Sequence, residues 1–444
     1  MRTQPSPAPR APSGRAGPGL LTRRRLLGTG LAAAAASALA ACGGPAAGRA
    51  GEPGAGSLRL LTPIFDRADG QKLLERLLAQ FRRANPGISV TVDYTLYPKL
   101  NEKITTSLVS GRPYDVMMMG VGWIPPFAER GLLAELKADQ AELDRLYHPR
   151  VIRTGCRYKG ALYARPVVLD CRMGVYRKDL LEQAGIHEPP RTLTELRDMA
   201  RDLTVRKNGA LRRAGMDVLS YDPRQMFLPL MWAHGGELFR AGRPAFAEDE
   251  AVAGLQWMVD LIHKDHSEDY GFASPTQVAS PLIQGRAAMG IAHNDLWRQV
   301  KEIKPELITE GLIGAFTLRE VRPAMFQGGT LATVSASSQH LLAAQELARF
   351  LSSPDVALQA GEQRGNIPAT LPSSTSAYVR GDALVHHAVE HLDEARSEGG
   401  VPQWLDIRDQ FKPAIEGALL GRTAPHKALR ELADQAHTIM NRRV

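Results

Sequence analysis

The sequence predicts an α/β fold arranged as two lobes. About 385 residues follow the N-terminal segments, more than one core encloses on the ~100–200-residue scale of single domains. Strand-like and helix-like segments alternate from Ser57 onward, which calls for a mainly parallel sheet covered by helices on both faces. No tandem repeat at solenoid period interrupts the pattern, so repeat architectures are excluded.

The elements follow in order. Ser57 to Thr62 reads as a short apolar strand. Gly70 to Ala84 carries Leu73, Leu74, Leu77, Leu78 and Phe81 at helical spacing and stops at Asn85-Pro86-Gly87, and Ile88 to Tyr94 then alternates as a strand. Leu100 to Ser110 is a helix, Tyr114 to Met119 a buried strand and Phe127 to Leu133 a short helix. Tyr158 to Pro166 reads as a hairpin running into an extended apolar crossing, Val167 to Tyr176. Thr192 to Leu203 is a helix opened by the capping box Thr192-Leu193-Thr194-Glu195. Phe227 to His234, Ala251 to His263, Pro281 to Gly285 and Leu342 to Leu351 are further helices, and Trp257 fits the core face of its own.

The N-terminus is an address. Arg23-Arg24-Arg25-Leu26-Leu27, an Ala-rich apolar run from Gly28 to Ala41 and the box Leu39-Ala40-Ala41-Cys42 have the charged, apolar and small-residue regions of an export signal. The run has signal-peptide and not membrane-span length. The box resembles a bacterial lipobox, with Cys42 as the nucleophile for a diacylglycerol, and the arginines resemble a twin-arginine signal, an ordinary secretory signal being the alternative. Residues 1–41 are thus read as a signal peptide and 42–57, rich in Gly, Ala and Pro, as a lipidated flexible tether. The mature chain is expected outside the cytoplasm, held to the cell membrane by that lipid.

The formal charge of +8 belongs mostly to this segment: its six arginines, with no Lys, Asp or Glu, leave +2 for the remainder. Acids and bases are interleaved after it, which argues against nucleic acid as a partner. Cys156 and Cys171 are the other cysteines; an exported location permits a disulfide, and two separate buried thiols are the alternative.

Over nearly all of the mature chain the sequence resembles the family 1 extracellular solute-binding proteins of ABC importers, the maltose-binding-protein-like group. The matching blocks are Phe81 to Val90, Lys99 to Val116, Ala128 to Leu136, Tyr158 to Pro166, Tyr176 to Gly185, Pro189 to Leu196, Gly285 to Met289, Gly328 to Ser335, Ala348 to Pro354 and Gly421 to Leu429. The resemblance implies a type II periplasmic-binding-protein-like fold, its ligand cleft lying between lobes joined by hinge crossings. One lobe takes 58–165 and 322–356, the other 166–321 and 357–444. It further implies a monomer that binds a small solute, expected to be a sugar, and closes for the permease subunits of an ABC transporter. Neither cofactor nor metal is expected.

Sugars are held by aromatic faces and by planar polar side chains, so such residues at strand and helix ends are the candidates. Asp66 and Arg67 follow the first strand; a solvated loop pair is their alternative reading. Trp123 projects after the buried strand, and Asp170, an acid inside the apolar crossing, is taken as a ligand contact over a structural partner of Arg172. Gln225 and Trp232 stand at and within a helix that resembles a cleft-lining one. Asn294 and Trp297 follow Gly285-Arg286-Ala287-Ala288-Met289, Gly328 permits close approach of a ligand as does Gly329, and Arg408 replaces a family aromatic. Arg67 and Arg408 keep a glycerol phosphodiester or another anionic solute in play as ligand.

An exported hydrolase is the rival class. His387 and His391 stand four residues apart, but Ala388 occupies the zincin glutamate position, and a solvated helix is the better reading. Gly-x-Ser-x-Gly, Walker and Gly-x-Gly-x-x-Gly motifs are missing, so the chain is read as a binding protein and not an enzyme.

Overall fold

The computed structural model describes residues 56–272 and 279–442. The signal segment 1–41, Cys42 and all of the tether before Gly56 lie outside the described residues.

The chain begins with β1 (Gly56–Thr62), α1 (Ala68–Ala84) and β2 (Ile88–Tyr94). The two strands are parallel, with Leu60 opposite Val92. Leu73, Leu74, Leu77, Leu78 and Phe81 make the apolar stripe that α1 buries, and the helix ends where the Asn85 amide donates to Phe81 O just before Pro86. Next come α2 (Tyr97–Val109), β3 (Val116–Gly120) and α3 (Ile124–Glu129). The last starts ahead of the expected Phe127, because Pro125 and Pro126 fall in the first turn, where no amide donor is required.

The middle of the chain supplies β4 (Ala164–Arg177), α4 (Leu193–Leu203), β5 (Ala210–Asp217), α5 (Pro223–Ala233), α6 (Asp249–His263), β6 (Ala287–His293) and β7 (Ile313–Phe316). The cap of α4 is as the sequence indicates, with Thr192 accepting from the Glu195 amide at 3.0 Å. The Glu195 carboxylate reaches one residue further back, to the Arg191 amide at 2.7 Å. β8 (Pro323–Val334), α7 (Leu341–Leu351), α8 (Pro354–Arg364), α9 (Trp404–Leu419) and α10 (Pro425–Met440) complete the elements used below.

The main sheet runs β2–β1–β3–β8–β4–β6–β5, and β7 also pairs with β4. It is parallel on either side of its centre, where β1 meets β2 and β3, and β6 meets β5, and beyond β5 the short strand Val205–Lys207 adds on antiparallel. At its centre it is antiparallel, which corrects the expectation of a mainly parallel sheet: β8 runs against both β3 and β4, and β4 against β6 and β7. The cause lies in two long strands. β4 is 14 residues long and β8 is 12, and they run antiparallel to each other over Ala164–Arg172 and Phe326–Thr333. The N-terminal part of β4 pairs with β8, whereas Arg172 to Arg177 pairs with β6 and β7.

α8 packs on α1, with Gln363 donating to Asp69 at 2.9 Å, Arg76 to Gln359 at 3.0 Å and Arg364 to Ile64 O at 2.6 Å. Cys156 and Cys171 are free, buried thiols, which decides between the two readings of that pair. Trp257 is buried and donates to Leu193 O at 3.0 Å, tying α6 to the start of α4.

Gly215 in β5 lies so close under α4 that a Cβ there would sit 1.7 Å from Ala200 O. Backbone cannot rotate away from such a clash. Gly215→Ala is therefore expected to cost about 3 kcal/mol, read as a lowered urea midpoint; a midpoint equal to the parent's would contradict this packing.

Candidate ligand-binding cleft

A cavity of about 730 Å³ opens where β4 and β8 pass each other. β4 contributes Asp170 and Arg172, and β8 contributes Phe326, Gly328 and Gly329. The start of α2 and the turn after β3 bring Tyr97, Gly120, Val121 and Trp123. From the other side come Asp222, Arg224 and Gln225 at the start of α5, Glu398, and Leu405, Arg408, Asp409 and Lys412 of α9.

The innermost charges are paired with one another. Asp170 and Arg172 form an ion pair on β4, their side chains 14% and 12% exposed. His293 at the end of β6 stands behind them, Nε2 3.6 Å from Asp170 and Nδ1 2.8 Å from Asp295. Burial works against ionisation of Asp295, yet His293, Arg298 and Arg172 more than offset it and hold that carboxyl below its ordinary range. Arg224 and Glu398 form a second ion pair, 7% and 6% exposed, with Asp222 3.6 Å from Arg224. Burial pulls the Arg224 guanidinium down to about 10, Asp222 opposing the pull and Arg408 and Arg172 adding to it, so Arg224 remains a cation at neutral pH.

Three aromatic side chains stand among these charges. Phe326 has the Arg172 guanidinium over one face at 5.1 Å, and Trp232 stacks on its ring at 6.1 Å and 21°. Tyr97 bonds through its hydroxyl to Thr330, and burial pushes that phenol up to about 12, so it stays a neutral donor and acceptor. Trp123 lies under Arg408, whose guanidinium carbon is 5.2 Å from the ring centroid.

Glycines let these pieces meet. Gly122 (φ 88°) and Gly399 (φ 108°) bring the turn carrying Trp123 onto the turn carrying Glu398, where a Cβ on Gly122 would sit 2.8 Å from Glu398 O. Gly328 faces Asp170 across the β4–β8 ladder, and a Cβ there would meet the carboxylate at 2.6 Å.

Of the residues singled out in the sequence, Trp123, Asp170, Gln225, Gly328, Gly329 and Arg408 come together on this cavity. The others stand elsewhere. Asp66 is ion-paired with Arg364 at 3.2 Å, and Arg67 is the exposed cap of α1. Trp232 is buried behind Phe326. Asn294 is fully buried, accepting from the Cys171 amide at 2.7 Å and donating at 2.5 Å to Gly365 O, so it ties β6 to β4 and α8. Trp297 packs on the hydrophobic cluster around Leu296 and Val300. Sequence reasoning missed Tyr97, Arg224, Phe326 and Glu398; Arg224 adjoins the chosen Gln225, and the Gly399-Gly400 pair marks the turn that presents Glu398.

The profile of the bacterial extracellular solute-binding protein family matches residues 66–358, two thirds of the chain. The chain belongs to that family. It is 23% identical over 410 residues to a binding protein of Brucella abortus, spanning 87% of this chain and 94% of that one. It is 22% identical to the diacetylchitobiose-binding protein DasA of Streptomyces coelicolor, over 88% of this chain and 92% of that protein. Among solved structures, the sugar-binding protein MalE of Xanthomonas citri superposes with a TM-score of 0.74 at 23% identity, covering 87% of this chain and 97% of MalE. UgpB of Mycobacterium tuberculosis, solved with glycerophosphocholine, gives 0.70 at 18%, covering 88% and 99%. These likenesses establish the type II periplasmic-binding-protein fold, two lobes joined by crossing strands. The family is one of solute-binding proteins, and among the described residues no helix is long and apolar enough to cross a membrane.

The Arg224–Glu398 pair tests the electrostatics. Arg224→Met leaves Glu398 buried without a partner and is expected to cost about 3–5 kcal/mol. The Arg224→Met, Glu398→Gln double variant recovers most of this loss in urea unfolding; additive losses would contradict the pairing.

Proposed function

We propose that this solute-binding protein captures a neutral carbohydrate in the cavity between β4 and β8 and delivers it to the permease of an ABC importer. One observation carries the reading: the buried charges of the cavity are matched, Asp170 with Arg172 and Glu398 with Arg224, beside the faces of Trp123, Tyr97 and Phe326. A neutral polyol uses both members of each pair, since a carboxylate accepts from one hydroxyl and a guanidinium donates to the next. Aromatic faces cover the apolar side of a sugar ring. The names of the relatives agree: DasA binds diacetylchitobiose, and a Streptococcus pneumoniae relative is a maltooligosaccharide ABC transporter solute-binding lipoprotein.

A second reading rests on Arg408 and Lys412. Arg408 has the solvent-facing Asp409 at 3.4 Å and the exposed Lys412 has the half-buried Glu416 at 3.8 Å, both loose contacts that leave cationic charge for an anionic solute such as a glycerol phosphodiester.

In this proposal the chain is exported as a monomer, cut before Cys42 and lipidated there, the segment up to Gly56 supplying reach. The lobes that close on the ligand are 58–165 with 322–356 and 166–321 with 357–444, α8 straddling that last boundary while it packs on α1. More than one acyl chain is needed for firm attachment.

A thermal-shift panel of neutral mono- and oligosaccharides against glycerol phosphodiesters separates the two ligand classes. A saccharide is expected to raise the melting temperature, and Trp123→Ala or Asp170→Asn to weaken its binding at least tenfold, about 1.4 kcal/mol; a shift by the phosphodiesters alone would replace the neutral-sugar reading. For the anchor, Cys42→Ser is expected to release a folded, ligand-competent chain into the medium, and its retention on membranes would rule the lipid out.

A further inference from the structure

Trp123 borders the cavity and yet is only 3% exposed. Much of its ring packs into the hydrophobic core and against Gly120, and the Arg408 side chain reaches from α9 to lay its guanidinium over the ring at 5.2 Å. Arg408 differs from the other two arginines of the cleft. Arg172 is held by Asp170 and Arg224 by Glu398, both carboxylates nearly out of solvent. Among the described residues Arg408 has only Asp409 as a carboxylate partner, a side chain 69% exposed, at 3.4 and 3.5 Å. Such a contact contributes little to holding a guanidinium in place.

We propose that Arg408 is a displaceable cap: in the ligand-free protein it occupies the stacking face of Trp123, and a sugar ring must push it aside to bind. This deepens the carbohydrate reading and rests on it for the ligand. The cap acts as a specificity-determining residue. A ring that stacks on Trp123 replaces the cation–π contact, whereas a solute without a stacking face leaves the tryptophan covered and gains nothing from it. Displacement requires no unpaired burial, because Asp409 is within reach of the guanidinium and opens to solvent. The cap also makes Arg408 oppose neutral ligands, the reverse of its part in the anionic reading.

The test uses the full-length chain and has two arms. In the first, without ligand, acrylamide quenching of tryptophan fluorescence is measured for the parent, Arg408→Ala and Arg408→Gln, each also in a Trp123→Phe background. Both Arg408 variants are expected to raise quenching, and the increase should vanish when Trp123 is replaced. Unchanged quenching in variants that keep the parent's melting temperature overturns the cap. In the second arm, maltotriose and diacetylchitobiose are titrated. Whichever binds the parent is expected to bind Arg408→Ala roughly two- to tenfold more tightly; weaker binding by the folded variant overturns the cap and makes Arg408 a direct contact. If neither saccharide binds the parent while Arg408→Ala exposes Trp123, the carbohydrate reading fails for these probes and the cap itself stands.

Discussion

The antiparallel pairing of β4 with β8 is the interaction on which the rest of the molecule depends. Phe326 to Thr333 of one strand are matched with Ala164 to Arg172 of the other, with a register shift between Thr330 and Leu331. Each main-chain hydrogen bond contributes only about 0.5–1.5 kcal/mol. Placed at the sheet centre, this ladder joins the β1–β3 side to the β5–β7 side. Because side chains alternate along a strand, some residues of the pair enter the cavity while their neighbours enter the core: Asp170 and Arg172 line the cleft, whereas Leu169, Cys171 and Met173 are buried. One element thus serves as connection and as binding surface.

That dual use explains why the cleft holds so much charge so far from water. A lone buried ion would cost several kcal/mol, and the strands solve this by matching opposite charges at close range. Asp170 needs no partner from afar, since Arg172 stands two residues along the same edge. Arg224 needs one, and the close touch of Gly122 and Gly399 helps set the turn that provides Glu398. The resulting inner surface is polar and nearly neutral, with the donors and acceptors of the two buried pairs fixed before a ligand arrives. Preorganisation of this kind lowers the ordering cost of binding.

Much of the fold was legible locally. The stripe from Leu73 to Phe81, the stop at Asn85-Pro86 and the Thr192 cap are contained within one element each, and the structure reproduces them within a few residues. The antiparallel centre was not legible, because it depends on pairing strands more than 150 residues apart. The site divides the same way. Asp170 and Gly328 stood out as an acid in an apolar strand and a glycine pair in another, properties visible in isolation. Asn294 and Trp232 have the chemistry of ligand contacts but spend it on structure, one clamping Cys171 and Gly365, the other stacked on Phe326. Phe326 and Glu398 carry no local mark beyond a neighbouring turn, since their place on the cavity is set by the register of β8 and by a contact between two distant loops.

If β4 and β8 act as the hinge of a cleft that closes on its ligand, small-angle X-ray scattering is the most direct measurement. The radius of gyration would be compared before and after saturation with the saccharide that most stabilises the protein. The account predicts a smaller radius with ligand bound, as the two sides of the sheet turn toward each other about the crossing strands. An unchanged radius at full occupancy would contradict it.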